Sequence, residues 1–261
     1  MSNITTLKVG DHQVKIEAGE LVGYQVSGHE FMHQKGNPGW RNVDTEMFPL
    51  IGPTNEADFK VNTPKGFATQ DQHGLLREME YELTDSTDSK AVFSKTYSAN
   101  TEILNSKYPA KSTAEKLSWP YDFEFVKTLE LVNNTLEVTF SISGEEGMPF
   151  MLGYHPAFML HSENAVISTG NQDITIPEVM AVGSRALQVP KTDTITLKDE
   201  KSIQITSEGF SHFMLWTEVP NMVCIEPITF YPYAVAQQNL AEGFMVLKDE
   251  PAIFKVSLKP L

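Results

Sequence analysis

Residues 122–131 read DFEFVKTLEL, residues 135–142 read TLEVTFSI, and Asn133 and Asn134 lie between them. In the first segment Phe123, Phe125, Leu129 and Leu131 hold odd positions. Asp122, Glu124, Thr128 and Glu130 hold even ones, broken only by Val126. A strand turns successive side chains to opposite faces, so this is the pattern of a half-buried strand. The second segment puts Leu136, Val138, Phe140 and Ile142 on one face. Asparagine tolerates left-handed backbone, and two of them at the join mark a turn. The two segments therefore read as an antiparallel hairpin.

Outward from the hairpin the period of two persists. It recurs at SIQITS (202–207) and FKVSL (254–258), with shorter runs at VKIEA, LVGYQV, AVFSKTYS, AVIST, DITI, TITL, FMLWTE and FMVLK. Gly, Asn, Asp or Pro clusters separate them. Many short strands with turn signals predict an all-β sandwich or barrel. LREMEYEL (76–83) and AVAQQNLAE (234–242) each have room for a turn or two of helix. No Pro/Ser linker or fixed-period repeat divides the chain, so residues 1–261 are read as one domain. The stretch 34–75 is irregular and rich in Gly, Pro and Asn; long loops in compact domains are often functional.

The chain of 261 residues has a formal net charge of −14 and a pI near 4.9. Such a surface repels nucleic acid and anionic membranes, so neither is expected as a partner. Cys224 is the one cysteine, which excludes an intrachain disulfide and fits a reducing compartment. The N-terminal residues show no apolar signal core, and no run approaches eighteen apolar residues. A cytoplasmic protein is expected.

Three segments place a titratable group beside strand-breaking or aromatic residues. QDQHGLLRE holds His73, Gly74 and Arg77; MPFMLGYHPAFML holds Tyr154 and His155; NMVCIEPITFYP holds Glu226. Glu226 follows the apolar run VCI, and a buried carboxyl has a raised pKa unless it is paired. That suits a general base, and it equally suits a structural ion pair. Either histidine, taken alone, also fits a hydrogen-bonded core or surface residue. Trp40 and Arg41, in GNPGWRN, could stack on and hydrogen-bond a sugar, and a loop tryptophan equally often caps a core edge. His29 and His33 lie four apart without a third ligand in view, so no metal site is assigned. No P-loop, GxGxxG or GxSxG is present.

The ordered segments FPLIG (48–52), QHGLLR (72–77), WPYDFEFVKTLEL (119–131), NNTLEVTFSISG (133–144), MPFMLGYHPAF (148–158) and VCIEP (223–227) resemble the aldose 1-epimerase family. The likeness spans roughly residues 15–230 and is nearest the branch of LacX-like and hexose-6-phosphate-epimerase-like members. It implies a large antiparallel β-sandwich of the galactose-mutarotase (supersandwich) type with one sugar site. It implies catalytic roles for Glu226, His155 and His73 and sugar contact by Arg77. Substrate contact is expected also of Trp40, Arg41 and Tyr154. In the implied reaction Glu226 takes the anomeric hydroxyl proton, protonated His155 donates to the ring oxygen and His73 steadies the developing charge. No cofactor or metal is required, and the partner is a small sugar, with the chain a monomer or homodimer. Relatives of this branch carry an arginine where this sequence has Pro53, leaving Arg41 or Arg77 to replace it. The overall charge favours a neutral sugar, since Arg77 with Lys65 or Lys35 is a thin supply for a phosphate. A non-catalytic sugar-binding or sensing protein on the same scaffold is the alternative. A glycoside hydrolase would want two carboxylates, and only Glu226 is in view.

Overall fold

The computed structural model describes residues 4–261. Its largest element is a nine-stranded antiparallel sheet. The strands run in the order Asp173–Thr175, Val166–Ser168, Thr194–Lys198, Ile203–Glu208, Ala252–Pro260, Thr135–Gly144, Phe123–Val132, Lys90–Tyr97 and Glu82–Ser86. The hairpin pairs Phe123 with Gly144 through to Val132 with Thr135. Asn133 and Asn134 take φ of 49° and 60°, the left-handed pair that a two-residue turn matched to strand twist requires. Phe125, Leu129, Leu136, Val138, Phe140 and Ile142 are fully buried, so alternation settles which face meets the core.

The second layer is a six-stranded sheet. Its strands are Leu187–Pro190, His212–Trp216, Met222–Ile228, Gly153–Tyr154 and Glu46–Met47, with Ala157–Met159 also paired to Met222–Ile228. One apolar cluster joins the sheets: Phe125 and Phe140 from the larger and Leu215, Val223 and Ile225 from the smaller belong to it. This is the expected antiparallel sandwich.

Differences from the sequence reading are local. Residues 76–83 form only a 3₁₀ turn, Leu76–Glu78, before the edge strand Glu82–Ser86. Residues 234–242 fall mostly within the 3₁₀ segment Gln237–Gly243. The α-helix among the described residues is Ile176–Val182. DITI forms the strand Asp173–Thr175 as read, and the helix begins at its last residue, Ile176, where Thr175 and Glu178 form a reciprocal capping box and Pro177 sits in the first turn. The irregular stretch 34–75 holds the short strands Glu46–Met47, Lys60–Thr63 and Gly66–Thr69. No helix among the described residues is long and apolar enough to cross a membrane.

Candidate active site

The floor of the candidate site is the strand Met222–Ile228, buried along its whole length. Val223 and Ile225 face the core between the sheets, so Cys224 and Glu226 project from the other face. Gly153 pairs with Ile228 and Ala157 with Cys224, which puts His155 opposite Glu226 in the same register. Opposed residues on neighbouring strands stand side by side. His155 Nε2 accordingly lies 3.3 Å from Glu226 Oε1. The alignment is not that of a hydrogen bond, and Glu226 Oε1 has no such partner among the described residues. On its other flank His155 is fixed by backbone bonds: its N–H donates to Thr45 O at 2.8 Å, and Thr45 N–H donates to His155 O at 3.3 Å.

His73 arrives from a loop. Its own φ is +71° and that of Gly74 is +76°. A Cβ on Gly74 would stand 2.2 Å from the carbonyl oxygen of Phe48, so only glycine lets the loop lie on that backbone. The FPLIG segment completes the clamp. Phe48 N–H donates to His73 O, His73 N–H to Gly52 O, and Gly52 N–H to His73 Nδ1 at 3.4 Å. The other ring nitrogen, Nε2, lies 3.3 Å from the side-chain amide nitrogen of Gln72, so both edges of the His73 ring are held by neighbouring polar groups. The His73 and His155 ring centroids are 5.9 Å apart.

These side chains share one cleft with a volume of about 380 Å³, within the ordinary range for a small-molecule site. Trp40, His73, Arg77, His155 and Glu226 line it. Trp40 packs against His155 with centroids 4.3 Å apart and the rings tilted by 36°, and His33 Nε2 lies 2.9 Å from the Trp40 carbonyl. His29 packs instead on His161 at 4.2 Å, so His29 and His33 serve separate places. Two residues expected at the sugar do not join the cleft. Tyr154 lies on the opposite face of its strand from His155, fully buried, and donates its hydroxyl proton to Asp44 Oδ2 at 2.8 Å. Arg41 is exposed to solvent and Pro53 does not line the cleft either.

Sequence reasoning missed Lys107, Lys111 and Trp216, which also line the cleft. The spacing KYPAK around Tyr108 and Pro109 was the available signal for the two lysines. Lys65 and Lys35, named as cation suppliers, are engaged elsewhere. Lys65 pairs with Glu145, and Lys35 with Glu17 and Glu20. Lys107 pairs with Asp71 at 3.3 Å, whereas Arg77 has no salt-bridge partner among the described residues.

Burial sets the charge state. It pushes Glu226 well above the usual carboxyl range. It lowers His155 to about 3, with the nearby Arg77 guanidinium adding to the effect. His73 is held well below its ordinary value by burial, then by Arg77, His155 and Lys107. The close His155–Glu226 contact is therefore not a standing ion pair. Burial thus disfavours the charged form of both groups, Glu226 and His155.

Comparison with known proteins agrees with this architecture. Residues 54–223 match the family model described as aldose 1-epimerase. Protein LacX (plasmid) of Lactococcus lactis subsp. lactis is 21% identical over 292 residues, covering 94% of this chain and 91% of LacX. The structure of a galactose mutarotase related enzyme from Lactobacillus acidophilus superposes with a TM-score of 0.77 at 18% identity, covering 99% of this chain and 97% of its own. A galactose mutarotase-like protein from Lactobacillus casei ATCC 334 gives 0.76 at 17% identity, with 99% of each chain covered.

Proposed function

The chain belongs to the aldose 1-epimerase family, and on that premise we propose that it interconverts the α and β anomers of an aldose, with a phosphorylated aldose preferred. The observation that carries this reading is the cross-strand pair His155–Glu226 at 3.3 Å on the floor of a cleft that His73 and Arg77 also line.

Ring opening removes the proton of the anomeric hydroxyl and supplies one to the ring oxygen. Both oxygens are bonded to the same carbon, so acid and base must stand side by side rather than across the ring. Neighbours on adjacent strands meet that requirement. From the resting state, Glu226 donates to the ring oxygen while His155 accepts the hydroxyl proton. The ring C–O bond breaks and the hydroxyl oxygen becomes the aldehyde oxygen. Rotation about the bond to the next carbon presents the other face. Closure then returns one proton to Glu226 and one from His155 to the new hydroxyl. His73 and Arg77 line the same cleft and steady the oxygens on which negative charge develops. Proton movement within the pair also reaches the opposite arrangement, Glu226 as base and His155 as acid, so either form runs the cycle.

Arg77, Lys107 and Lys111 support the preference for a phosphate. A guanidinium without a carboxylate partner, largely out of water, is costly to hold and ready to take an anion. The −14 of the whole chain acts at longer range through screened solvent, whereas Arg77, Lys107 and Lys111 stand at the cleft itself.

The test is NMR anomer exchange on fresh α-glucose, α-galactose and glucose 6-phosphate. Glu226→Gln is expected to lower the rate by roughly 10²–10⁴-fold, the usual contribution of a proton-transfer group. No acceleration over buffer for any sugar by the wild type refutes the reading. Saturable binding without acceleration assigns the chain to sugar sensing instead.

A further inference from the structure

Beneath the cleft lining, a buried thiol that ring opening does not use lies close to the His155–Glu226 pair. Cys224 stands two residues before Glu226 on the strand Met222–Ile228, so both project from one face. Its partner across the strands is Ala157, which places it one row along from the His155–Glu226 pair. One ligating atom each from His155, Cys224 and Glu226 lies within 4.8 Å of the other two. All three residues are buried, and Trp40 and Trp216 pack against the cluster that holds Cys224. His155 Nδ1 and Glu226 Oε1 have no hydrogen-bond partner among the described residues. Buried polar atoms nearly always have a partner, so these two orphaned atoms beside a thiol call for one.

We propose that His155, Cys224 and Glu226 form a three-ligand site for a thiophilic divalent cation such as zinc, and that its occupancy silences the acid/base pair. Zinc binds nitrogen, oxygen and sulfur at about 2.0–2.3 Å, so tetrahedral ligands stand roughly 3.3–3.8 Å apart. The His155–Glu226 separation of 3.3 Å already meets this, and side-chain rotations of about an ångström bring in Cys224. The sulfur selects zinc over magnesium or calcium, which prefer all-oxygen sites. Three protein ligands leave the fourth position for water. On binding, the Cys224 thiol and the Glu226 carboxyl each release one proton to solvent, and neutral His155 supplies a lone pair. The two anionic ligands balance the two positive charges, and nothing is oxidised or reduced. With the lone pair of His155 and the carboxylate of Glu226 on the metal, neither exchanges a proton with a sugar. The ligand set stands apart from the sugar reaction; only the inhibition rests on the proposed function.

The experiment is a titration of the metal-free full chain with Co²⁺, read by the near-ultraviolet thiolate-to-cobalt charge-transfer band and the visible bands of tetrahedral cobalt. One equivalent is expected to bind, and Zn²⁺ is expected to displace it. Cys224→Ala is expected to lose the charge-transfer band, to weaken zinc inhibition at least about tenfold and to keep the metal-free epimerase rate within about twofold. Zn²⁺ is also expected to raise the thermal midpoint of the wild type and not that of the variant. A folded wild type without the charge-transfer band overturns the proposal, and this arm decides even if Cys224→Ala does not fold. A Cys224→Ala variant that zinc inhibits as it does wild type overturns it as well. A cobalt band in a chain that epimerises no sugar upholds the metal site and refutes the proposed function.

Discussion

Lys127→Met is expected to destabilise the protein strongly although Lys127 is far from the cleft in sequence. Lys127 lies between Phe125 and Leu129 on the buried face of the strand Phe123–Val132 and is fully buried. Its ammonium is 2.7 Å from Asp44 Oδ2, 2.8 Å from Glu46 Oε1 and 3.0 Å from the carbonyl of Gly19. Methionine fits the same volume but leaves two buried carboxyls without their shared cation. Removing one partner of a buried pair costs about 3–5 kcal/mol. Lys95 lies near Glu46, and Tyr154 and the Leu21 N–H still serve Asp44, which keeps the cost within that range. At ~2–4 °C per kcal/mol for a chain of this order, the midpoint of thermal unfolding should fall by roughly 6–20 °C. Circular dichroism during heating and urea titration both measure it. The loss should shrink as pH falls. Without the ammonium, both carboxyls have folded-state pKa values above their unfolded ones, so stability declines as pH rises through that window and returns below it. Asp44→Asn added to Lys127→Met should recover part of the loss by removing one unpaired charge. A Lys127→Met protein within ~1 kcal/mol of wild type at neutral pH would show that the network carries no net stability, as well-packed apolar replacements sometimes do. Asp44 and Glu46 flank Thr45, the backbone partner of His155, so the same variant is expected to lower the epimerase rate.

Arg77→Met should lower kcat/KM for glucose 6-phosphate by roughly 10–150-fold, matching the ~1.5–3 kcal/mol of a charged hydrogen bond, and lower that for glucose less; equal losses on both sugars would remove Arg77 from phosphate recognition. The rate should stay level through neutral pH, because the pair keeps its proton while pH lies above the His155 value of about 3 and below the raised Glu226 value. It should fall on the alkaline side as Glu226 ionises. Arg77, His73, Cys224 and Tyr233 act on the pair, and Lys107, Lys111 and Glu218 line the same cleft. A fall centred near the ordinary histidine pKa would contradict a neutral buried His155. Gly74→Ala should cost more than ~1 kcal/mol, since alanine disfavours a φ of +76° and its Cβ meets the Phe48 carbonyl; unfolding and rate measurements should both register it.

Alternation made the sheet framework readable. Phe123 to Leu131 and Leu136 to Ile142 each name a buried face, and the two asparagines name the turn. Lys127 falls at an odd position on the same face, and no expectation was attached to it. Which carboxylates it meets was not readable, because Asp44 and Glu46 lie 83 and 81 positions away in a stretch without period. The cleft shows the same division. His73, His155 and Glu226 stood out from their local context. Tyr154 stood out for the same reason yet faces Asp44, since neighbours on a strand point to opposite faces. Lys107 and Lys111 sit in a segment whose position is fixed by tertiary contacts such as Asn105 on Asp71, for which no short-range pattern exists.

The spacing of acid and base follows from sheet register rather than from loop placement. Gly153 opposite Ile228 and Ala157 opposite Cys224 leave His155 no place but beside Glu226. A slip of one residue would turn Glu226 into the core between the sheets, where Val223 and Ile225 now sit. The apolar side chains that flank Glu226 therefore hold the His155–Glu226 distance of 3.3 Å: their burial penalises every other register. The same burial removes water from Glu226 and His155 and disfavours the charged form of each, the condition that the proposed proton exchange uses. Packing and proton chemistry thus have a common source in the alternation of the strand Met222–Ile228.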